Sequence, residues 1–190
     1  MARPRNFDED RAVEAAMHAF WTAGYEATST QDLCAATGLG RSSIYNTFRS
    51  KHDLFERALR RYMEIKDAST LAALEGEGTF RERIAGLLRQ MIEEECRDGI
   101  GCLVVNSGIE LAPRDPVVAG LLRRNYERRL ETLRAVIEEA RLAGEIDAGR
   151  DARELAHFVI ATISGIRVAA RSGAGREALE AVAESALRAL

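Results

Sequence analysis

Apolar residues return every three or four positions along nearly the whole chain, a spacing that predicts amphipathic helices from end to end. Val13, Ala16, Met17, Phe20 and Trp21 mark a helix over residues 8–23, and Gly24 stops it. Phe55, Ala58, Leu59, Tyr62 and Ile65 share one face of a helix that starts after Ser50 and runs to about residue 74. A Gly-Glu-Gly-Thr loop follows at 76–79. Ile84, Leu87, Leu88 and Met91 are in register over 80–98. Gly99-Ile100-Gly101 breaks that run, and residues 102–111 read as a short, apolar helix. Pro113 and Pro116 bracket a turn, with Asp115 placed to cap the next helix. That helix, over 116–143, carries Leu122, Tyr126, Leu130, Leu133 and Ile137, and Gly144 ends it. Two last helices, 151–172 and 176–190, are split by Gly173-Ala174-Gly175. With three prolines and only short β-branched runs, the expected fold class is all-α, without internal repeats.

Residues 28–55 depart from this rhythm and carry the most information. They predict a helix, a tight turn, a short second helix and the capped start of a third, which is a helix-turn-helix. Cys34 is small where two helices must cross closely, and Gly38 sits where the chain turns sharply with positive φ. Leu33, Leu39, Ile44 and Phe48 form the shared apolar set. Either Thr28 with Gln31 or Ser29 with Asp32 forms a capping box, and the spacing fits both. Gly40 is the expected N-cap of the second helix, and Ser50 with Asp53 caps the third. The outward face of the second helix is Arg41, Ser42, Ser43, Tyr45, Asn46 and Thr47. From Arg41 to His52 there are three cations (Arg41, Arg49, Lys51) and no carboxylate, the local balance that phosphate contact requires. Thr30, Lys51 and His52 complete the DNA-side candidates.

Charge sharpens this division. Hydrophobic content of 46 % and charged content of 30 % are those of an ordinary globular protein, with a net charge of −3. Residues 1–66 hold ten Lys/Arg against nine Asp/Glu, whereas residues 67–190 hold seventeen against twenty-one. Acidity is thus concentrated away from the expected DNA face. Arg3 and Arg5 form a short basic arm that is expected to reach DNA beside the first helix. The first fifteen residues are polar and no apolar run is long enough to span a membrane, so a cytoplasmic protein with reduced cysteines is expected. No His or Cys pair has metal-site spacing, and neither a phosphate-binding glycine loop after a strand nor a nucleophile elbow occurs. No cofactor or metal is expected. The rival classes, a small helical enzyme or a scaffold with a non-DNA-binding helix-turn-helix, have no motif in their favour.

Residues 11–62 resemble the DNA-binding domain of the TetR/AcrR family of bacterial transcriptional repressors. The resemblance rests on the run AAMHAFWTAGYEATST, the Gly24-Tyr25 pair, the Thr-Gly-Leu-Gly turn at 37–40, and IYNTFRSKHDLF at 44–55. It implies that Tyr45 and Lys51 clamp phosphates while Arg41, Ser42, Ser43 and Asn46 face bases or backbone. Gly40 and Ser42 depart from the residues frequent there, which leaves the operator sequence open. The resemblance also implies a DNA-binding domain over 1–50, a linking helix over 51–74, and an effector-binding and dimerisation domain over 51–190. The function so expected is a ligand-responsive regulator, most simply a repressor released from a palindromic operator by a small molecule or a thiol-reactive signal.

Within the second half, the last two helices carry more apolar surface than a monomer should expose. Phe158, Ile163 and Ile166 mark one stripe and Leu179, Val182, Ala186 and Leu187 another; part of each must be internal core, and together they are the expected homodimer interface. Cys102 begins an apolar helix, where the dipole favours the reactive thiolate, although a lone cysteine in such a run also reads as a small buried hydrophobe. Asn106, Glu110, Phe158 and Thr162 are the accompanying ligand-side candidates, although Asn106, Glu110 and Thr162 also read as caps or interface groups.

Overall fold

The computed structural model describes residues 8–190. Among them are nine helices and no strand: α1 (Glu9–Ala23), α2 (Thr30–Thr37), α3 (Arg41–Phe48), α4 (Lys51–Leu74), α5 (Phe80–Asp98), α6 (Leu103–Glu110), α7 (Pro116–Leu142), α8 (Ala152–Arg171) and α9 (Arg176–Ala189). Helix ends follow the predicted signals to within a residue. Asp8, Asp115 and Asp151 cap α1, α7 and α8 by accepting backbone N–H groups of the first turn. The open choice at α2 is resolved for Ser29, whose box with Asp32 is complete. Thr28 is instead buried and donates to Gly24 O at 2.6 Å, so it is unavailable as a cap.

Two cores hold the helices. In the first, Phe20, Leu33, Ile44, Phe48 and Phe55 unite α1 to α4. Phe20 meets the Phe55 ring edge-on with centroids 5.1 Å apart. Cys102, Leu103, Leu111, Val118 and Leu121 join this same core. So α6 and the start of α7 pack against the helix-turn-helix unit. The second core gathers α5, α7, α8 and α9 around Ile84, Leu88, Ile137, Val159 and Ile163. Helix α4 serves both, through Leu54 to Met63 in the first and Leu74 in the second.

Three sequence expectations change here. Ile65 is 39 % exposed because it lies on the stretch of α4 between the cores. Tyr126 is 40 % exposed, its hydroxyl 2.7 Å from His157 Nδ1. Most of the supposed dimer stripe faces inward. Ile163, Ile166, Leu179 and Ala186 are buried inside the subunit, and Leu187 packs against the core. Phe158 and Val182 remain outside, 38 and 46 % exposed, with Val168 at 43 %. Periodicity marks a covered face without saying whether the same chain or a second copy covers it.

Candidate nucleic-acid interface and effector chamber

The recognition unit is built from its turn outward. Gly38 adopts left-handed backbone at φ 70°, and its N–H closes α2 on Cys34 O at 3.0 Å. A side chain at this φ is strained, so the turn is set by glycine. Ser29 holds the Asp32 carboxyl below the usual carboxylate range by hydrogen bonding. Helix α3 is anchored by Ile44, Thr47 and Phe48. Thr47 is therefore core rather than part of the outward face. Arg41, Ser42, Tyr45 and Asn46 are exposed, and Ser43 is half-buried at the edge. The Tyr45 hydroxyl lies 3.1 Å from Thr30 Oγ1, joining the two helices on that face. Gly40 caps α3 without a side-chain bond, so the first-turn N–H groups remain available for an anion.

Lys51 opens α4. Its ammonium lies 4.4 Å from the Tyr25 ring centroid and 3.4 Å from Glu26 O. His52 does not join it. Its Nε2 is 2.6 Å from Asp115 and its Nδ1 is 3.1 Å from Glu56. One helix position turns the side chain by about 100°. That rotation carries His52 to the start of α7, where it links the two halves of the molecule. Arg3 and Arg5 lie outside the described residues.

Helix α6 is tied to the DNA-binding unit at both ends. Trp21 Nε1 donates to Gly101 O at 2.7 Å. At the other end the Glu110 carboxylate accepts from Tyr25 N at 3.1 Å and Glu26 N at 2.8 Å. Glu110 thus caps the turn after α1 instead of facing a ligand. Nothing in the local sequence reveals these contacts, since the partners are 80 or more positions apart.

Cys102 is the N-cap residue of α6 and is buried. Arg167 Nη1 donates to its sulfur at 3.1 Å, and Tyr62 borders it. Burial, foremost, and the neighbouring Cys102 push the Tyr62 hydroxyl pKa far up. Burial opposes the Arg167 charge, but Cys102, Tyr62 and Glu95 outweigh it and raise its pKa. Cys102 opens on a small cavity of about 30 Å³ that shares Asp67, Thr70, Arg129 and Ile163 with a larger one of about 230 Å³. The larger chamber is walled by α4, α7 and α8.

The other ligand-side candidates lie apart from it. Asn106 turns to Ile100 O at 3.4 Å. Phe158 faces outward beside Leu155 and Ala189. Thr162 does not line either cavity, because α8 presents Ile163 and Arg167, one turn apart, to that side. Arg129, absent from the sequence-derived candidates, lines both cavities, with Arg128 beside it in the larger one and Lys66 and Arg167 in the smaller. Cys96 is exposed, and Cys34 is half-buried against the first core.

This architecture, a helix-turn-helix mounted on a larger helical body that carries a cavity open to its surface, defines a DNA-binding regulator. Its sequence relationships agree. A family described as bacterial regulatory proteins of the tetR family matches residues 12–58, and a tetracyclin repressor-like C-terminal domain matches residues 81–186. The HTH-type transcriptional repressor ComR of Escherichia coli (strain K12) is 32 % identical over 98 % of this chain and 90 % of its own length. A cysteine mutant of the TetR family regulator CifR, solved with 26-base-pair operator DNA, is 34 % identical, with a TM-score of 0.87 and 99 % of both chains covered. A TetR regulator from Chloroflexus aurantiacus J-10-FL is 28 % identical, with a TM-score of 0.85, and aligns with 94 % of this chain and 91 % of its own. The chain belongs to the TetR family, whose members are transcriptional regulators rather than enzymes. Among the described residues no helix is long and apolar enough to cross a membrane.

Proposed function

We propose that this protein is a homodimeric, cytoplasmic repressor that holds a palindromic operator through α3 and lets go when its chamber is occupied or Cys102 is modified. The observation that carries the reading is the exposed, carboxylate-free face of α3 on a unit that α6 ties to the small cavity adjoining the chamber. Arg41, Ser42, Ser43 and Asn46 contact bases or backbone in the major groove. Thr30, Tyr45 and Lys51 hold phosphates, with Arg3 and Arg5 as an arm. Residues 1–50 form the DNA-binding domain, and α4 passes the state of the body at 51–190 to it.

An effector acts only through a difference in affinity between the DNA-competent and DNA-incompetent arrangements. Cys102 is well placed to create one. An adduct on a buried sulfur requires space, and the adjoining Gly101 is the point where Trp21 holds α6 to α1. ComR's description as a repressor and the operator complex of CifR support the DNA-binding half of this reading.

The test is fluorescence anisotropy of the full-length protein on genomic fragments, before and after thiol alkylation, for wild type and Cys102→Ser. A specific complex that weakens steeply with salt is expected, with alkylation releasing wild type only. Equal release of both proteins removes Cys102 from the sensing step. Absence of any specific, salt-sensitive complex contradicts the regulator reading itself.

A further inference from the structure

Arg129 is the unbalanced charge of the chamber. It lines both cavities where they share a wall, and it is mostly withdrawn from solvent. Among the described residues it makes no hydrogen bond and no ion pair. The nearby carboxylates are already engaged. Asp67 accepts both contacts of the Asn125 amide, at 3.2 and 2.9 Å, and pairs with Arg128 at 3.6 Å. Glu94 binds Lys66 at 2.6 Å, and Glu95 faces Arg167 at 3.6 Å. Burial first, then the charge of Arg167, weigh against the Arg129 cation and lower its pKa. Arg129 is half-buried, so its guanidinium is partly desolvated without a protein partner, and that planar group is shaped to donate two parallel hydrogen bonds to a carboxylate. The remaining walls supply the rest of a site. Leu71, Leu133 and Ile163 are apolar, and Thr70 offers a hydroxyl, whereas that of Thr132 donates to Arg128 O at 3.1 Å. A volume of about 230 Å³ holds an organic molecule of modest size.

We infer that the chamber between α4, α7 and α8 binds a small organic monocarboxylate, with Arg129 as its anion anchor. One unpaired positive charge matches one negative charge, and the apolar walls take the short hydrocarbon body. The inference rests on the effector reading above and names the chemical class of the ligand. It predicts recognition of the carboxylate itself, so the amide of the same acid should bind poorly despite equal shape.

The experiment is calorimetric titration of the full-length protein with hexanoate and benzoate, against hexanamide, benzamide and inorganic phosphate. The variants are Arg129→Met and, as a surface control, Arg123→Met. Binding of the acids in preference to the amides is expected, with at least a tenfold loss in Arg129→Met and none in Arg123→Met. Should Arg129→Met fail to fold, Arg129→Lys keeps the charge without the fork and is expected to bind at least tenfold more weakly. Equal binding of acid and amide, binding of phosphate alone, undiminished binding by the Arg129 variant, or no binding at millimolar concentration overturns the inference. Operator release is measured separately. Acids that bind without releasing DNA leave the anion site standing and remove its effector role. Release by a neutral compound in a protein that binds no acid does the reverse.

Discussion

Lys51 and His52 are neighbours in sequence with different surroundings. Both lie in a cationic stretch and both read as DNA-side residues. The structure sets Lys51 against the Tyr25 ring and Glu26 O and turns His52 to Asp115 and Glu56. The difference is a rotation about the helix axis, which residue type does not encode. Replacing Lys51 by Ala is expected to weaken binding to all DNA sequences alike and to flatten the salt dependence by about one unit of slope, read by anisotropy across a salt series. Replacing Asn46 by Ala is expected to cost about 1–3 kcal/mol on the preferred operator while sparing non-specific binding. A Lys51 variant that alters only sequence preference would reverse this assignment.

At the scale of elements, α6 has the most consequence for its length. The sequence marked it by two glycines before it and an apolar run within it. Its role depends on ties that only folding creates, from Trp21 to Gly101 and from Glu110 to the turn at Tyr25 and Glu26. A short helix fastened at both ends to the DNA-binding unit, with Cys102 at its start, is expected to transmit a displacement of the small cavity beside that cysteine. Glu110→Ala is therefore expected to leave operator affinity of the free protein nearly unchanged. It should weaken ligand-induced release by about 1 kcal/mol of coupling, roughly fivefold. The measurement is operator affinity with and without saturating effector. Full release by the variant would show that Glu110 is only a local cap.

For the whole molecule the question is what covers the outer apolar residues of α8 and α9. Phe158, Val168 and Val182 are exposed on a subunit whose neighbouring stripe residues are already buried. A two-fold contact through this surface would set two recognition helices against a palindromic site. The double variant Phe158→Asp, Val182→Asp is expected to sediment as a monomer and to lose at least about a hundredfold in operator affinity, because each half-site then binds alone. A variant that stays dimeric would move the interface elsewhere.

The sequence by itself determined the helices, the turn at Gly38 and every cap it named except that of α2, where burial of Thr28 left the box to Ser29. These depend on local backbone chemistry and on periodicity within one element. It also determined the class of the protein, because a helix-turn-helix is specified by nearly contiguous residues. Tertiary structure alone decided which apolar stripe is core, why His52 leaves the DNA face, and why Glu110 is a cap. It also brought Arg129, Arg167 and Cys102 to adjoining cavities. Those residues come from α7, α8 and the start of α6, and no local rule couples their positions. Charge balance inside a chamber depends on distances between helices, and the packing of both cores sets those distances.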